Sequence, residues 1–126
     1  MIVPTTTLPL YKRGDVLIVP FPGLNVGAPA KKRPAVVLAV VPFGAETDYL
    51  CALITSQAAP DPMRITLSPG DVQGGALAVQ SYLRPLYLYT ASQRSVAGEI
   101  GTLIAVRLAE AVQALMSKVD PVTREA

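Results

Sequence analysis

The densest positive charge of this chain stands directly before one of its most apolar stretches. Residues 28–41 read APAKKRPAVVLAVV, so three consecutive cations, Lys31, Lys32 and Arg33, precede a proline and seven apolar residues. Lysines at a strand edge can simply keep a protein soluble and prevent edge-to-edge pairing. Arg33 differs, because Pro34 restricts its backbone to an extended conformation and gives its forked, permanently charged head a rigid base. Such an arginine is suited to binding phosphate.

A second polar cluster, Thr55-Ser56-Gln57, follows the apolar run of residues 49–54. Its hydroxyls can be bonded to nearby backbone, as at many strand ends. If the strands that contain Arg33 and Thr55 are antiparallel neighbours, however, the start of one lies beside the end of the other. Arg33 and Thr55 would then lie close together. Arg84 can reach the same edge, or it can be an ordinary exposed charge.

The elements that must position these residues are mostly short strands. β-rich or apolar runs predict strands at residues 16–21, 34–41, 49–55, 64–67, 76–83 and 86–90. The connection at residues 22–33 is a loop of about a dozen residues, a length that is typical of functional or mobile loops. Pro85 confines the last strand to a sheet edge or a strand start. Helical spacing of apolar residues predicts one helix over residues 105–119, which Pro121 ends.

Strands followed by one terminal helix form an α+β pattern, and a small, strongly curved antiparallel barrel with the helix packed on it is the natural closure. The 126 residues are enough for one domain, 1–126, with a single core. Residues 1–10 are predicted to be a loose N-terminal arm rather than a signal peptide, because they lack a basic segment and contain Pro4 and Pro9.

Composition limits the chemistry that is available. The chain has no histidine, which excludes a Cys/His zinc site and any mechanism with an imidazole base. Its single cysteine, Cys51, cannot form an internal disulfide, which suits a reducing compartment and favours the cytoplasm. No apolar stretch is long enough to predict a membrane span. Hydrophobic residues make up 51% and charged residues 16% of the chain, which favours a homodimer that covers an apolar face.

Five segments together resemble the PemK/MazF toxins, the ribonuclease halves of type II toxin–antitoxin pairs. In chain order they are YKRGDVLIVPFP, KKRPAVVL, LITSQ, SYLRPLYLYT and GEIGTL, and with the predicted terminal helix they span residues 11–119. Each segment is weak evidence alone, but the first three at these spacings make a fairly specific signal. The resemblance implies an SH3-like antiparallel barrel with a C-terminal helix, a homodimer, and selective cleavage of single-stranded RNA without a metal or other cofactor.

The resemblance also implies site residues and a protein partner. In such toxins, the positions that match Arg33 and Thr55 are the catalytic pair, and the segment at residues 22–33 corresponds to a mobile loop over the RNA groove. We expect a cognate antitoxin to bind this groove through an acidic tail. Further contacts with RNA are expected from Lys31, Lys32, Ser56, Gln57 and Arg84.

The chain departs from the family in one respect. Some members carry an arginine and an aspartate two residues apart on the strand that here reads QSYLR, residues 80–84, and this chain has no aspartate there. The general base is therefore unassigned. An alternative function is that of a catalytically inactive relative that binds RNA or a protein through the same groove. A third is an SH3-like module that binds peptides, but such modules use an aromatic-lined groove, and this chain has no tryptophan.

Overall fold

Seven strands and a C-terminal helix make up most of the computed structural model. The structure describes residues 9–23, 25–58 and 60–120, except for the side chain of Phe43. Residues 1–8 of the predicted N-terminal arm, and Pro121, lie outside the described residues. The elements are β1 (Asp15–Phe21), β2 (Lys31–Phe43), β3 (Glu46–Thr55), β4 (Ile65–Leu67), β5 (Val72–Gln73), β6 (Ser81–Ser92), β7 (Gly98–Leu103) and α1 (Ala105–Val119). Two short 3-10 helices, Pro69–Asp71 and Gln93–Ser95, join strands.

All neighbouring strands pair antiparallel, in the order β4-β6-β3-β2-β1-β7-β5, and the sheet curls into a half-barrel. This confirms the predicted α+β fold, and α1 has the predicted range. β2 is the middle strand of the sheet, as its continuous apolar run predicts. Its side chains alternate between two cores. Val36 and Leu38 belong to the core that packs against α1, whereas Ala35 and Val37 belong to the core on the other face.

The RGDV segment, residues 13–16, includes the start of β1 and helps to hold the sheet together. Arg13 Nε donates to the Leu38 carbonyl, 3.1 Å away, and the N–H of Gly14 donates to the Val37 carbonyl. The buried Asp15 carboxylate accepts hydrogen bonds from Lys12 and Thr102. Burial alone would raise the pKa of Asp15, but these hydrogen bonds outweigh it, so its pKa lies below the usual value.

β2 begins three residues earlier than predicted, which shortens the loop before it. Lys31, Lys32 and Arg33 are strand residues, paired with Phe21, Pro20 and Val19 of β1. The predicted loop 22–33 therefore reduces to residues 22–30. The lack of periodicity in residues 22–33 indicated a loop, but residues 31–33 form backbone ladder pairs with β1, and these pairs do not depend on a side-chain pattern.

The predicted strands 76–83 and 86–90 are wrong in their boundaries. A single strand, β6, runs from Ser81 to Ser92, and residues 74–80 form a loop. Pro85 does not interrupt β6, because the register with β3 shifts there: Arg84 pairs with Leu53, but the next pair is formed by Leu88. Three residues thus bulge out of the ladder around Pro85. Since β4 pairs only with residues 81–83, this part of β6 is an edge, as the proline predicted.

Candidate nucleic-acid interface and active site

The hairpin of β2 and β3 brings Arg33 and Thr55 to the same edge of the sheet. Ala35 of β2 pairs with Leu53 of β3, and continuing this antiparallel register by two residues places Arg33 opposite Thr55. Because side chains alternate along a strand, both lie on the face of Ala35 and Leu53. The expected proximity of Arg33 and Thr55 is confirmed, while their catalytic roles stay a prediction.

Two clefts meet at this edge, and both are lined by Arg33, Thr55 and Gln57. The larger, of about 450 Å³, is also lined by Lys32 and Ser56. We call it the first cleft. The second cleft, of about 320 Å³, is also lined by Lys31, Arg84, Asn25, Ala28 and Pro29. Because side chains alternate along β2, the two neighbouring lysines line different clefts: Lys32 lines the first and Lys31 the second, whereas Arg33 lines both.

Arg33 has a buried donor without an acceptor. Its Nε atom is inaccessible to solvent, and the Arg33 side chain forms no hydrogen bond or ion pair with any other residue that the structure describes. A buried donor that is left unpaired costs about 1–3 kcal/mol, so few are found in folded proteins. A ligand oxygen bound at this edge would satisfy it. An anion would gain both the hydrogen bond and the charge of the guanidinium.

Thr55 is oriented by the chain that follows it. The N–H of Gln57 donates to Thr55 Oγ1 at 3.2 Å, so the predicted alternative, a hydroxyl bonded to nearby backbone, is present. This bond uses the oxygen only as an acceptor. The O–H of Thr55 has no acceptor among the described residues. The hydroxyl is therefore held in place and can donate to a ligand.

The two clefts carry only positive charge. Among the described residues their linings contain four cations, Lys31, Lys32, Arg33 and Arg84, and no aspartate or glutamate. A concave site with one sign of charge attracts the opposite charge, and a phosphodiester backbone is the ligand that offers an anion at every step. The described part of these linings therefore offers no carboxylate as a general base.

Arg84 is not the ordinary exposed charge that the sequence left open, because only 11% of its side chain is exposed. Its Nε donates to Asp61 Oδ2 at 2.8 Å, and its guanidinium lies over the ring of Tyr87. Asp61 was not among the predicted site residues: it stands between two prolines, 23 positions before Arg84. No local pattern links the two.

The wall of the first cleft was also missed. Residues 76–79, predicted as strand, form it as part of the loop between β5 and β6. Gly75 makes this path possible: a Cβ atom there would lie 1.8 Å from the Ile100 carbonyl oxygen, so only glycine allows the loop to approach β7 so closely. The pair Gly74-Gly75 was the available signal, although it was read as the start of a strand.

Other reactive groups do not add to the site. Cys51 is buried, and burial raises the pKa of its thiol to about 12, so it is no nucleophile at neutral pH. The tyrosines of β6 make separate contacts: Tyr82 with Gln80, Tyr87 with Arg84 and Tyr89 with Phe21. In the described ranges no group of three His, Cys, Asp or Glu side chains could hold a metal ion. No helix there is long and apolar enough to cross a membrane.

Comparisons with known proteins agree on one family. The model of the PemK-like, MazF-like toxins of type II toxin–antitoxin systems matches residues 12–119. No curated protein sequence matches the chain. Solved structures also share the fold, including the following three. MazF from Deinococcus radiodurans is 22% identical, with a TM-score of 0.65 over 86% of this chain and 96% of that one.

The other two structures are mycobacterial, and both are 14% identical to this chain. An endoribonuclease has a TM-score of 0.61 over 90% of this chain and 93% of that one. An endoribonuclease in complex with its cognate antitoxin has a TM-score of 0.62 over 94% of this chain and all of that one. At these identities the likeness shows the fold.

Proposed function

Because the chain belongs to the family of PemK-like, MazF-like toxins of type II toxin–antitoxin systems, we propose that it is an endoribonuclease that cuts single-stranded RNA at short sequence motifs. The observation that carries this proposal is that Arg33 and Thr55 both line two adjoining clefts, in which every charged residue among those described is a cation. The solved endoribonucleases with the same fold support it.

The chemistry begins with the RNA itself. The 2′-hydroxyl loses its proton to water as its oxygen attacks the neighbouring phosphorus, the bond from phosphorus to the 5′-oxygen breaks, and water returns one proton to that leaving oxygen. The products are a 2′,3′-cyclic phosphate and a free 5′-hydroxyl. In the transition state, negative charge builds on the phosphoryl oxygens. The guanidinium of Arg33 stabilises this charge from a fixed position, and the O–H of Thr55 donates to a phosphoryl oxygen.

The remaining cleft residues bind the substrate. Lys31 in the second cleft and Lys32 in the first hold phosphates on either side of the one that is cut. Ser56 and Gln57 offer a hydroxyl and an amide to the bases or sugars. A single strand is favoured, because in-line attack needs a backbone that can turn freely. We propose that the protein acts in the cytoplasm, since a single cysteine, Cys51, suits a reducing compartment.

Purified protein should cut single-stranded RNA in excess EDTA. We expect this because the described residues contain no cluster of metal-binding side chains and the chain has no histidine. Products should carry 2′,3′-cyclic phosphate and 5′-hydroxyl ends, measured by mass spectrometry. An oligonucleotide with a single 2′-deoxyribose before the cut site is the control, and it should bind but stay intact. A requirement for added Mg²⁺, or products with 5′-phosphate, would refute the mechanism.

One observation favours the alternative of an inactive relative that binds RNA. No carboxylate or histidine lines either cleft in the part of the chain that the structure describes, so we assign no side chain as general base. The same assay separates the two functions. Binding that depends on Arg33, with no cleavage of any RNA, would favour the inactive relative.

The cognate antitoxin should compete with RNA for the clefts. An acidic segment fits there, because it would meet the same four cations as a phosphodiester does. Arg33→Glu should therefore weaken antitoxin binding at least tenfold in a calorimetric titration, and the matched reversal Arg94→Glu, outside the clefts, should not. Unchanged affinity of the Arg33→Glu variant would show that the antitoxin inhibits from another surface.

We also propose that the toxin is a homodimer. The partly exposed apolar side chains on the edge of β6, Leu86, Tyr87 and Leu88, support this, since a second copy could cover them. Light scattering at micromolar concentration measures the mass directly, and the mass of a single chain would contradict it.

A further inference from the structure

Arg84 is the most firmly held of the four cations that line the clefts. Its Nε donates to Asp61 Oδ2 at 2.8 Å, and its guanidinium carbon lies 3.6 Å from the centroid of the Tyr87 ring. One edge and one face of the guanidinium are thus occupied. The N–H groups on its two terminal nitrogens have no acceptor within the described residues, and neither nitrogen is a buried unsatisfied atom. Four donors of fixed direction are therefore available to a ligand.

Asp61 is itself held in place. Its other oxygen, Oδ1, accepts the N–H of Met63 at 2.9 Å, and its carbonyl accepts the N–H of Arg64 at 3.2 Å. Only 7% of the Asp61 side chain is exposed. Burial alone would raise the pKa of Asp61, but the bonds from Arg84 and Met63 outweigh it and lower that pKa, so the carboxylate is charged at neutral pH.

The sheet places Arg84 next to the candidate catalytic pair. Thr55 is opposite Tyr82 on β6, and Arg84 is two residues further along the same strand, opposite Leu53. Arg84 is therefore on the face of the sheet that carries Thr55 and Arg33. It lines the second cleft with both of them, whereas Asp61 does not line that cleft. Asp61 can therefore act on a ligand in the second cleft only through Arg84.

A buried ion pair is an expensive way to hold a cation that merely tethers RNA. Removing two charges from water costs free energy that the pair only partly recovers, and exposed lysines such as Lys31 in the same cleft can attract phosphate without that cost. A fixed guanidinium has an advantage where its direction matters, which is the stabilisation of a transition state. We propose that Asp61 is a positioning residue for RNA cleavage, which aims the free donors of Arg84 at the phosphate that reacts at Arg33 and Thr55. This rests on the proposed ribonuclease function.

The test compares kcat and KM of wild type and Asp61→Asn on one RNA oligonucleotide. The amide keeps an acceptor for Met63 but has no charge for Arg84. Because misplacing a catalytic group can cost up to about 100-fold, kcat should fall about 10- to 100-fold, while KM should change less than about threefold. In an Arg84→Ala background, Asp61→Asn should cause no further loss, because the residue acts through Arg84. Asp61→Glu keeps the charge and should have an intermediate kcat.

Asp71→Asn is the matched control. It breaks another Asp–Arg pair, Asp71 with Arg107 at 3.2 Å, which lines neither cleft, and it should leave kcat unchanged. Circular dichroism and thermal melting check folding, and Asp61→Glu provides the test if Asp61→Asn does not fold. Should the wild type cut no RNA, the proposed function fails and this inference fails with it. If the wild type cuts RNA, two results overturn this inference alone. One is a kcat of the tested Asp61 variant within twofold of wild type. The other is a fall in kcat on changing Asp61 in the Arg84→Ala background that equals its fall in the wild-type background.

Discussion

Replacing Arg33 by alanine should abolish RNA cleavage and leave the barrel folded. The guanidinium is the only cation that lines both clefts, and it is opposite Thr55, where the reacting phosphate is proposed to bind. Loss of one fixed donor to a developing oxyanion typically lowers kcat about 10²- to 10³-fold. Arg33→Lys should be nearly as inactive, because an ammonium is a point charge that cannot reproduce the planar fork. Single-turnover cleavage of one oligonucleotide measures both variants.

Stability provides an independent check on the Arg33 variants. The buried Nε already lacks a partner, so Arg33→Ala removes a group that costs stability and breaks no hydrogen bond among the described residues. We therefore expect an unchanged or slightly higher melting temperature with a large loss of activity, a combination typical of residues kept for function. Arg94→Ala is the control, since Arg94 is an exposed arginine outside both clefts. Arg33→Ala activity within tenfold of wild type would remove Arg33 from the mechanism.

The sequence predicted those parts of the site that depend on contacts between neighbouring strands. Residues 34–41 and 49–55 are apolar runs separated by a short turn, so an antiparallel hairpin was the simplest arrangement. That hairpin alone brings Arg33 to Thr55. The helix at Ala105–Val119 was equally accessible, because its apolar positions follow the helical period and need no knowledge of the partner surface.

The parts that the sequence did not predict depend on distant backbone. Residues 76–83 are rich in apolar residues, as a strand is, but the ladder with β3 and β4 begins only near Ser81. Asp61 meets Arg84 because β4 pairs with the start of β6 and brings the loop before it against that strand. Nothing in the local composition encodes either contact. The cations of the second cleft, Lys31, Arg33 and Arg84, were therefore among the predicted site residues, but Asp61, which holds Arg84 in place, was not.

Thr55→Val should lower kcat about 100-fold, the lower end of the range for a lost donor to a developing oxyanion. Valine has nearly the shape of threonine but lacks the O–H, so a loss shared by Thr55→Ala and Thr55→Val comes from the hydroxyl and not from packing. Thr55→Ser should keep kcat within about fivefold of wild type, a far smaller loss than that of a missing donor. The hydroxyl that this variant retains can still accept the Gln57 N–H and donate to the phosphate.

The Thr55 variants should also remain folded, which allows the kinetics to be interpreted. Gln57 is exposed, so water can replace the acceptor that its N–H loses in Thr55→Val, and the cost should stay below about 1 kcal/mol in a urea titration. Ser56→Ala removes the neighbouring hydroxyl, which lines only the first cleft, and should raise KM without lowering kcat. If Thr55→Val and Ser56→Ala had the same kinetic effect, Thr55 would be a binding residue, and the electrostatic stabilisation of the transition state would fall to the arginines alone.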